Sequence, residues 1–303
     1  MNNRKQKVIE TAHQLFIEKG YNATSVQDIL DGSGISKGTF YNYFPSKSEL
    51  FIAIFRSLYK KINDEREAVL IGKELTDIEG FIEQLELQLI FNKQSNMLIL
   101  IEEVLVSNDE ELKKFIKRIQ LLSLRWTYVR FIDIFGESKK PYLLDLAALF
   151  LGMMIQMNHY NQLAQSVGSA EKNIIRYCID RIIQILNEIS TSGVQILDPE
   201  LIDTWLPNFR NHHHQCHNDL LQSILALKKA TNKTFYGSNQ RERALELIDF
   251  IQDELLQSTK PRRFLLDSTI QALTSLYPAQ AKETIDHFRA NINACLGQLD
   301  NDI

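Results

Sequence analysis

The sequence predicts an all-α protein with a small N-terminal helix-turn-helix domain, a larger helical domain and additional C-terminal helices. Apolar residues recur three and four positions apart along successive segments, which is the spacing of one face of an α-helix. The 303 residues include only 12 glycines and 6 prolines, fewer than the many tight turns of an all-β chain would use. Serine or threonine followed three residues later by glutamate or glutamine marks two helix starts.

The first fifty residues predict three short helices and the start of a fourth. Helical spacing covers about residues 4–19. Thr24 and Gln27 form a capping-box pair that predicts the start of the second helix. After a glycine-containing turn, Ser36 can cap a very short third helix that runs through about Tyr43. Two short helices joined by such a turn make a helix-turn-helix unit.

The rest of the chain predicts long helices. Ser46 and Glu49 form a further capping box, which opens the fourth helix directly after Pro45. A polar linker after residue 190 leads into a C-terminal extension that also has helical spacing. Beyond the fourth helix, the predicted helices cover residues 77–94, 96–107, 109–135, 141–165, 171–190, 199–230, 239–258, 262–277 and 279–299.

Charge is distributed unevenly along the chain. Residues 1–60 hold eight basic and five acidic side chains, a net charge of +3, whereas the whole chain carries −4. The remaining residues therefore carry −7. A basic head on an acidic body indicates a polyanion as the partner of the head. The predicted two-turn third helix would be about 10 Å long, and it fits a DNA major groove about 12 Å wide.

The cysteines and the apolar segments indicate the cellular compartment of the protein. Cys178, Cys216 and Cys295 are odd in number, far apart and without CxxC spacing, so a disulfide framework is not expected. No apolar signal segment opens the chain, and the most apolar stretch, Leu143 to Met157, is shorter than the roughly 20 residues that span a bilayer. We predict a cytoplasmic protein without a membrane partner.

Two stretches of the head carry a recognisable motif. Residues 34–50 read GISKGTFYNYFPSKSEL, and residues 20–26 read GYNATSV. Together they closely resemble the signature of the tetracycline-repressor (TetR) family, and the resemblance covers about residues 5–55. It implies a homodimeric, mostly repressive transcription factor that leaves a palindromic DNA operator when a small-molecule effector binds.

The resemblance also divides the chain. It implies a DNA-binding domain at residues 1–50 and an effector-binding and dimerisation domain at residues 51–190. In the family, the last two helices of that domain, here 141–165 and 171–190, pair with those of a second subunit. Residues 191–303 go beyond the usual family length, and they form either an extra layer or a separate module.

The resemblance assigns DNA contacts by position. Thr24, Tyr41 and Lys47 correspond to phosphate contacts. The residue types of the third helix agree with base reading, because glycine permits close approach and threonine and asparagine can meet base edges. Phe40 and Phe44, four positions apart, are expected in the core. The groove-facing set comprises Ser36, Lys37, Gly38, Thr39, Asn42 and Tyr43.

The middle helices supply material for an effector pocket. Aromatic and methionine side chains suit an adaptable site for an apolar or aromatic effector, although at helical spacing they also fit a plain core. The candidate pocket residues are Trp126, Tyr128, Phe131, Phe150, Met153, Met154, Met157 and Tyr160.

Three other hypotheses arise from the sequence. Residues 34–38 match the G-x-S-x-G nucleophile elbow, but this elbow needs a preceding strand, whereas residues 26–33 have helical spacing, so we do not expect an enzyme. His213 and His217, within the run 212–217, could bind Zn or Ni at helical i, i+4 spacing, although neither a resident metal nor a cofactor is expected. The extension could instead be a protein-interaction module.

Overall fold

A computed structural model of the chain describes residues 3–70, 73–164, 171–206, 214–235, 239–257, 262–277 and 285–293. Over these ranges the ordered elements are α-helices and one short 3-10 helix, and no β-strand is found. This confirms the predicted all-α class. The chain forms two compact units, residues 1–199 and 200–303, each with its own hydrophobic core.

The first unit contains nine α-helices in its described residues. The predicted helices all occur there, and the predicted bounds differ from the observed ones by a few residues. A 3-10 turn, Glu137–Lys139, precedes α8. The helices are α1 (Asn3–Lys19), α2 (Val26–Ser33), α3 (Lys37–Tyr43), α4 (Lys47–Val69), α5 (Ile78–Gln94), α6 (Met97–Leu105), α7 (Glu110–Phe135), α8 (Lys140–Leu163) and α9 (Glu171–Ser192).

The cap of α2 differs from the prediction by one residue. Ser25 is the N-cap: its hydroxyl accepts from the Asp28 amide at 3.1 Å, and the Asp28 carboxylate accepts from the Ser25 amide at 2.8 Å. The predicted Thr24–Gln27 pair is wrong because the Thr24 hydroxyl donates to the Gly20 carbonyl at 2.7 Å. That hydroxyl therefore stabilises the preceding turn instead of the helix start.

One hydrophobic core joins the first three helices to the helices that follow. Phe16, Phe40 and Phe51 are buried in the same cluster as Leu100 of α6 and Ile116 of α7. The predicted core positions Phe40 and Phe44 are both buried, which confirms that expectation. A displacement of α6 or α7 would therefore change the packing of the head directly.

The second unit is also helical. Its described helices are α10 (Leu201–Trp205), α11 (His214–Thr234), α12 (Asn239–Gln257) and α13 (Arg263–Leu276), and residues 285–293 are helical too. The prediction of one helix over 199–230 is wrong, because the helix ends at Trp205 and Leu206 is non-helical, with φ −128° and ψ 64°. The next residue, Pro207, disfavours a helical conformation of the residue before it.

Candidate nucleic-acid interface

The turn between α2 and α3 is built by two local devices. Gly34 ends α2 in the left-handed conformation, with φ 71°, which costs glycine little and other residues more. Ser36 then caps α3, because its hydroxyl accepts from the Thr39 amide at 3.2 Å. Phe40 is fully buried, so the face of α3 that contains it is held against the head. The opposite face of α3 is thereby fixed outward.

That outward face carries three of the six predicted groove-facing residues and the predicted phosphate contact Tyr41. Lys37, Gly38 and Asn42 are exposed, and Tyr41 is 44% exposed with its ring edge-on to Phe40. An amide, a cation and a phenol on a two-turn helix are groups that contact base edges and phosphates. The structure therefore brings these four positions together on one exposed surface.

Gly38 has no folding role that the described structure explains. A methyl group added at this position would meet nothing within 4 Å, and the backbone is helical. Glycine inside a helix costs roughly 0.5–1 kcal/mol relative to alanine. Gly38 is therefore consistent with the close approach of an external molecule to α3.

The other three predicted groove-facing side chains make contacts within the head. The Ser36 and Thr39 hydroxyls lie 2.9 Å apart, so each already has a hydrogen-bond partner. Tyr43 is half-buried, with its ring edge-on to Phe44. These side chains border the exposed surface and support it.

Thr24 and Lys47 have structural roles. Thr24 is 0% exposed and its hydroxyl donates to the Gly20 carbonyl, so this side chain is engaged within the fold, and its expected phosphate contact stays a prediction. Lys47 Nζ donates to the carbonyl oxygens of Tyr21 and Thr24, each at 2.9 Å, and lies 4.3 Å from the centre of the Tyr21 ring. Burial lowers the pKa of Lys47, and nearby Glu103 opposes this effect. Lys47 therefore links the start of α4 to the segment that precedes α2.

Glu103 of α6 connects the head to the following helices. Its Oε2 accepts from the Tyr21 amide at 2.7 Å and from the Asn22 amide at 3.4 Å. The turn before α2 is therefore held by a carboxylate that belongs to the larger domain. Nothing in the sequence signals this contact, because a glutamate on an amphipathic helix is ordinary.

Two further polar contacts cross the same junction. Ser48 near the start of α4 donates to Asp109 Oδ2 at 2.5 Å, while Asp109 Oδ1 caps α7 by accepting from the Leu112 amide at 3.0 Å. His13 Nε2 of α1 lies 3.2 Å from the carbonyl oxygen of Ser95, at the end of α5. Burial lowers the pKa of His13, and the contact with Ser95 partly offsets this change.

The predicted effector residues separate into two groups. Phe131 and Phe150 pack with Phe81 of α5 at ring distances of 5.5–6.0 Å, and Trp126 lies 5.6 Å from Phe81. Tyr128 and Met154 are buried and Met153 is half-buried. Met157 and Tyr160 are exposed on α8 and lie outside this buried group, so their role in an effector pocket stays a prediction.

The hydrolase and metal hypotheses gain no support from the described residues. Ser36 follows a helix, not the strand that a nucleophile elbow requires. His213 lies outside the described residues, and of His217 only the helical backbone is described. Elsewhere in the described ranges no group of three His, Cys, Asp or Glu side chains could hold a metal ion.

A two-helix unit with a short turn, a buried anchor and an exposed polar recognition helix defines a helix-turn-helix DNA-binding protein. The family model described as "Bacterial regulatory proteins, tetR family" matches residues 8–54. The chain is a DNA-binding transcriptional regulator whose N-terminal head matches the TetR family.

Curated relatives extend the likeness beyond the head. The uncharacterized HTH-type transcriptional regulator YerO of Bacillus subtilis is 24% identical over 278 residues, 90% of each chain. The uncharacterized HTH-type transcriptional regulator YuxN of the same organism is 32% identical over 155 residues, 50% of this chain and 53% of YuxN. The HTH-type transcriptional repressor KstR2 of Mycobacterium tuberculosis is 41% identical over 56 residues, 18% of this chain and 28% of KstR2. No solved structure matches the chain significantly.

One described helix is long and apolar enough to cross a membrane by length and composition. It covers Glu137–Asn161, and 33% of its most apolar window is buried. In a DNA-binding transcriptional regulator, this weak feature does not indicate a membrane protein. The same residues provide much of the exposed apolar surface of α8.

Proposed function

We propose that the chain is a cytoplasmic homodimeric repressor that reads a palindromic operator with α3 of each subunit and is released by a small-molecule effector. The main support for this proposal is the exposed polar face of α3. Gly38 is its strongest element, because no contact within the described structure requires glycine at this position. Lys37 and Tyr41 would meet phosphates, and Asn42 would bond base edges. Neutralised phosphates make operator binding weaken steeply as salt is raised.

The dimer interface is proposed on α8 and α9. These helices carry large apolar side chains that are each more than one-third exposed, an arrangement typical of surfaces that associate. Gly152, in the middle of α8, would allow close packing because a methyl group there meets nothing within 4 Å. The exposed residues are Leu149, Ile155, Met157, Tyr160, Leu163 and Tyr177.

A matched pair of substitutions tests this interface. Ile155 of α8 is 57% exposed, and Ile99 of α6 is 56% exposed. We expect Ile155→Asp to give a monomer in light scattering, because it places an unpaired charge in an apolar interface. Ile99→Asp should leave the dimer intact. Equal behaviour of the two variants would contradict an interface on α8.

The effector site is proposed among the aromatic side chains of α5, α7 and α8. Phe81, Trp126, Phe131 and Phe150 form a connected group of rings there. The helix α7 connects this group with the head, since its capping residue Asp109 accepts from Ser48 of α4. A 26-residue helix is about 39 Å long, so α7 can transmit a shift as a rigid rod. The effector would favour a form whose two heads are wrongly spaced for the operator.

Genome-wide recovery of bound DNA tests the function. The wild type should recover a small set of sites that contain an inverted repeat, and a Lys37→Ala, Asn42→Ala double variant should lose them while remaining folded and dimeric. Lys114→Ala, a substitution on α7 outside the head, provides the control and should recover the wild-type set. If the double variant recovered the same sites, base reading by α3 would be refuted.

The two remaining hypotheses stay predictions. Metal-dependent regulation through His213 and His217 can be tested by zinc titration of the wild type and the double alanine variant. An interaction role for residues 200–303 fits a unit with its own hydrophobic core, although the described residues do not show what it would bind.

A further inference from the structure

Two arginines are buried in the interior of the first unit. Arg66 of α4 is 5% exposed and Arg130 of α7 is 3% exposed. Removing a charged group from water is costly unless partners compensate it. Arg130 pairs with the buried carboxylate of Asp133 at 2.8 Å. Arg66 donates to the amide oxygen of Asn63 and bonds the phenol of Tyr59, both of which are uncharged.

One glutamine connects the two arginines. The buried Gln84 of α5 donates from Nε2 to the Arg66 carbonyl oxygen at 2.9 Å. Its Oε1 accepts from Arg130 Nε at 3.2 Å. Helices α4, α5 and α7 therefore meet at a buried polar cluster in the interior of the first unit.

Aromatic rings form the wall of this site. The Arg66 guanidinium carbon lies 4.1 Å from the centre of the Trp126 ring, and that of Arg130 lies 5.8 Å from the centre of the Phe81 ring. The two rings are 5.6 Å apart. Phe81 and Trp126 also belong to the proposed effector site, so the cations and the apolar group are adjacent.

Each guanidinium has a buried nitrogen without an acceptor among the described residues. These atoms are Nε of Arg66 and Nη2 of Arg130. A buried donor without a partner destabilises the folded state, and such groups are uncommon in folded proteins. Burial lowers the pKa of both arginines, but a guanidinium keeps its proton at neutral pH.

The unpaired nitrogens need hydrogen-bond acceptors, although carboxylates already act electrostatically on both guanidinium groups: Glu67 on Arg66, and Asp133 and Asp77 on Arg130. A carboxylate ligand supplies one negative charge and two coplanar acceptor oxygens, and this geometry matches guanidinium donors.

We propose that Arg66 and Arg130 bind the carboxylate of the effector, whose apolar part packs against Trp126 and Phe81. This inference rests on the proposed function of an effector-released regulator, and it specifies the chemical class of the effector as an apolar organic acid. Binding would supply acceptors to the two unpaired nitrogens. It would also pull α4, which carries the head, towards α7.

Trp126 provides a direct readout of binding. The chain has two tryptophans, so a Trp205→Phe background leaves the Trp126 signal alone. The probes are two matched pairs, decanoate with decanol and benzoate with benzamide, together with inorganic phosphate. We expect at least one carboxylate to change the Trp126 fluorescence and to bind about tenfold or more tightly than its neutral counterpart, which corresponds to about 1.4 kcal/mol.

Substitutions then identify the groups responsible. Arg66→Met and Arg130→Met keep much of the side-chain volume and should abolish the preference for the carboxylate. Arg66→Lys keeps the charge but loses the planar fork, so it should retain only part of the preference. Arg176→Met is the control, because Arg176 forms an exposed ion pair with Glu79 on α5 and should leave the preference unchanged. Thermal melts select the variants that are folded.

The outcomes distinguish this inference from the proposed function. If wild-type protein binds its operator but no carboxylate differs from its neutral counterpart, or if only phosphate binds, the inference is overturned and the repressor proposal remains. It is also overturned if folded Arg66→Met and Arg130→Met variants keep the preference. If wild-type protein binds no operator, the repressor proposal fails independently of the fluorescence titration.

Discussion

The Gly38→Ala substitution separates folding from DNA recognition. An added methyl group at Gly38 meets nothing within 4 Å, so the folded protein has room for it. Alanine is favoured over glycine inside a helix, and we expect stability to be unchanged or to rise by up to about 1 kcal/mol. On the duplex the same methyl group would occupy space that the base edges need. Operator affinity should fall about tenfold or more, which is about 1.4 kcal/mol.

Gly32→Ala is the matched control on the neighbouring helix. A methyl group at Gly32 would lie 2.9 Å from Cγ2 of Thr11, which is too close for a carbon contact. Overpacking of this kind typically costs about 1–3 kcal/mol, so this variant should lose stability. Thermal melts and fluorescence anisotropy with a recovered operator measure both quantities for both variants. A Gly38→Ala protein with wild-type operator affinity would refute the close approach of α3 to DNA.

Four further substitutions test the contacts of the head. Tyr41→Ala should weaken operator binding several-fold in a gel-shift titration without changing the melting temperature, because the side chain is half-exposed; unchanged affinity would remove it from the interface. Lys47→Ala should lower both affinity and the melting temperature, since its ammonium bonds two carbonyls of the turn before α2, and a loss of affinity alone would instead favour a direct phosphate contact. Glu103→Gln keeps the shape of the side chain but weakens its hydrogen bonds to the amides before α2. We therefore expect faster amide hydrogen exchange in α2. Unchanged exchange would show that this carboxylate does not stabilise the head. The pKa of His13 is lowered in the folded protein, so the unfolded chain binds a proton at this residue more readily. The free energy of unfolding should therefore fall as the pH drops below about 6.5. In urea titrations His13→Gln should lose less stability over this pH range, and an equal loss in both proteins would contradict the effect.

Local patterns were sufficient to predict the elements and the recognition helix. The helical class, the start of α3 at Ser36 and the burial of Phe40 all depend on residues within a few positions of one another. The α2 cap was misplaced by one residue because Thr24 and Ser25 are both capable caps. Only the hydrogen bond from Thr24 to Gly20 distinguishes them, and that contact depends on the folded turn.

Contacts between distant parts of the chain could not be predicted in this way. The bond between Glu103 and the Tyr21 amide joins residues 82 positions apart, and neither residue type signals it. Arg66 did leave a signal, since it follows the buried Ile62 by four residues and so falls on the apolar stripe of α4. A charged residue on such a stripe indicates either a buried charge or an interrupted face. Only the packing of α5 and α7 around Arg66 shows that the charge is buried.

A hydroxyl-radical footprint on a recovered operator tests the central claim most directly. A dimer that inserts α3 of each subunit should protect two half-sites about one helical turn apart, near 10 base pairs, or a multiple of that spacing. The Lys37→Ala, Asn42→Ala protein should protect neither half-site at the same concentration. A single protected half-site, or protection that the α3 substitutions leave unchanged, would contradict the account.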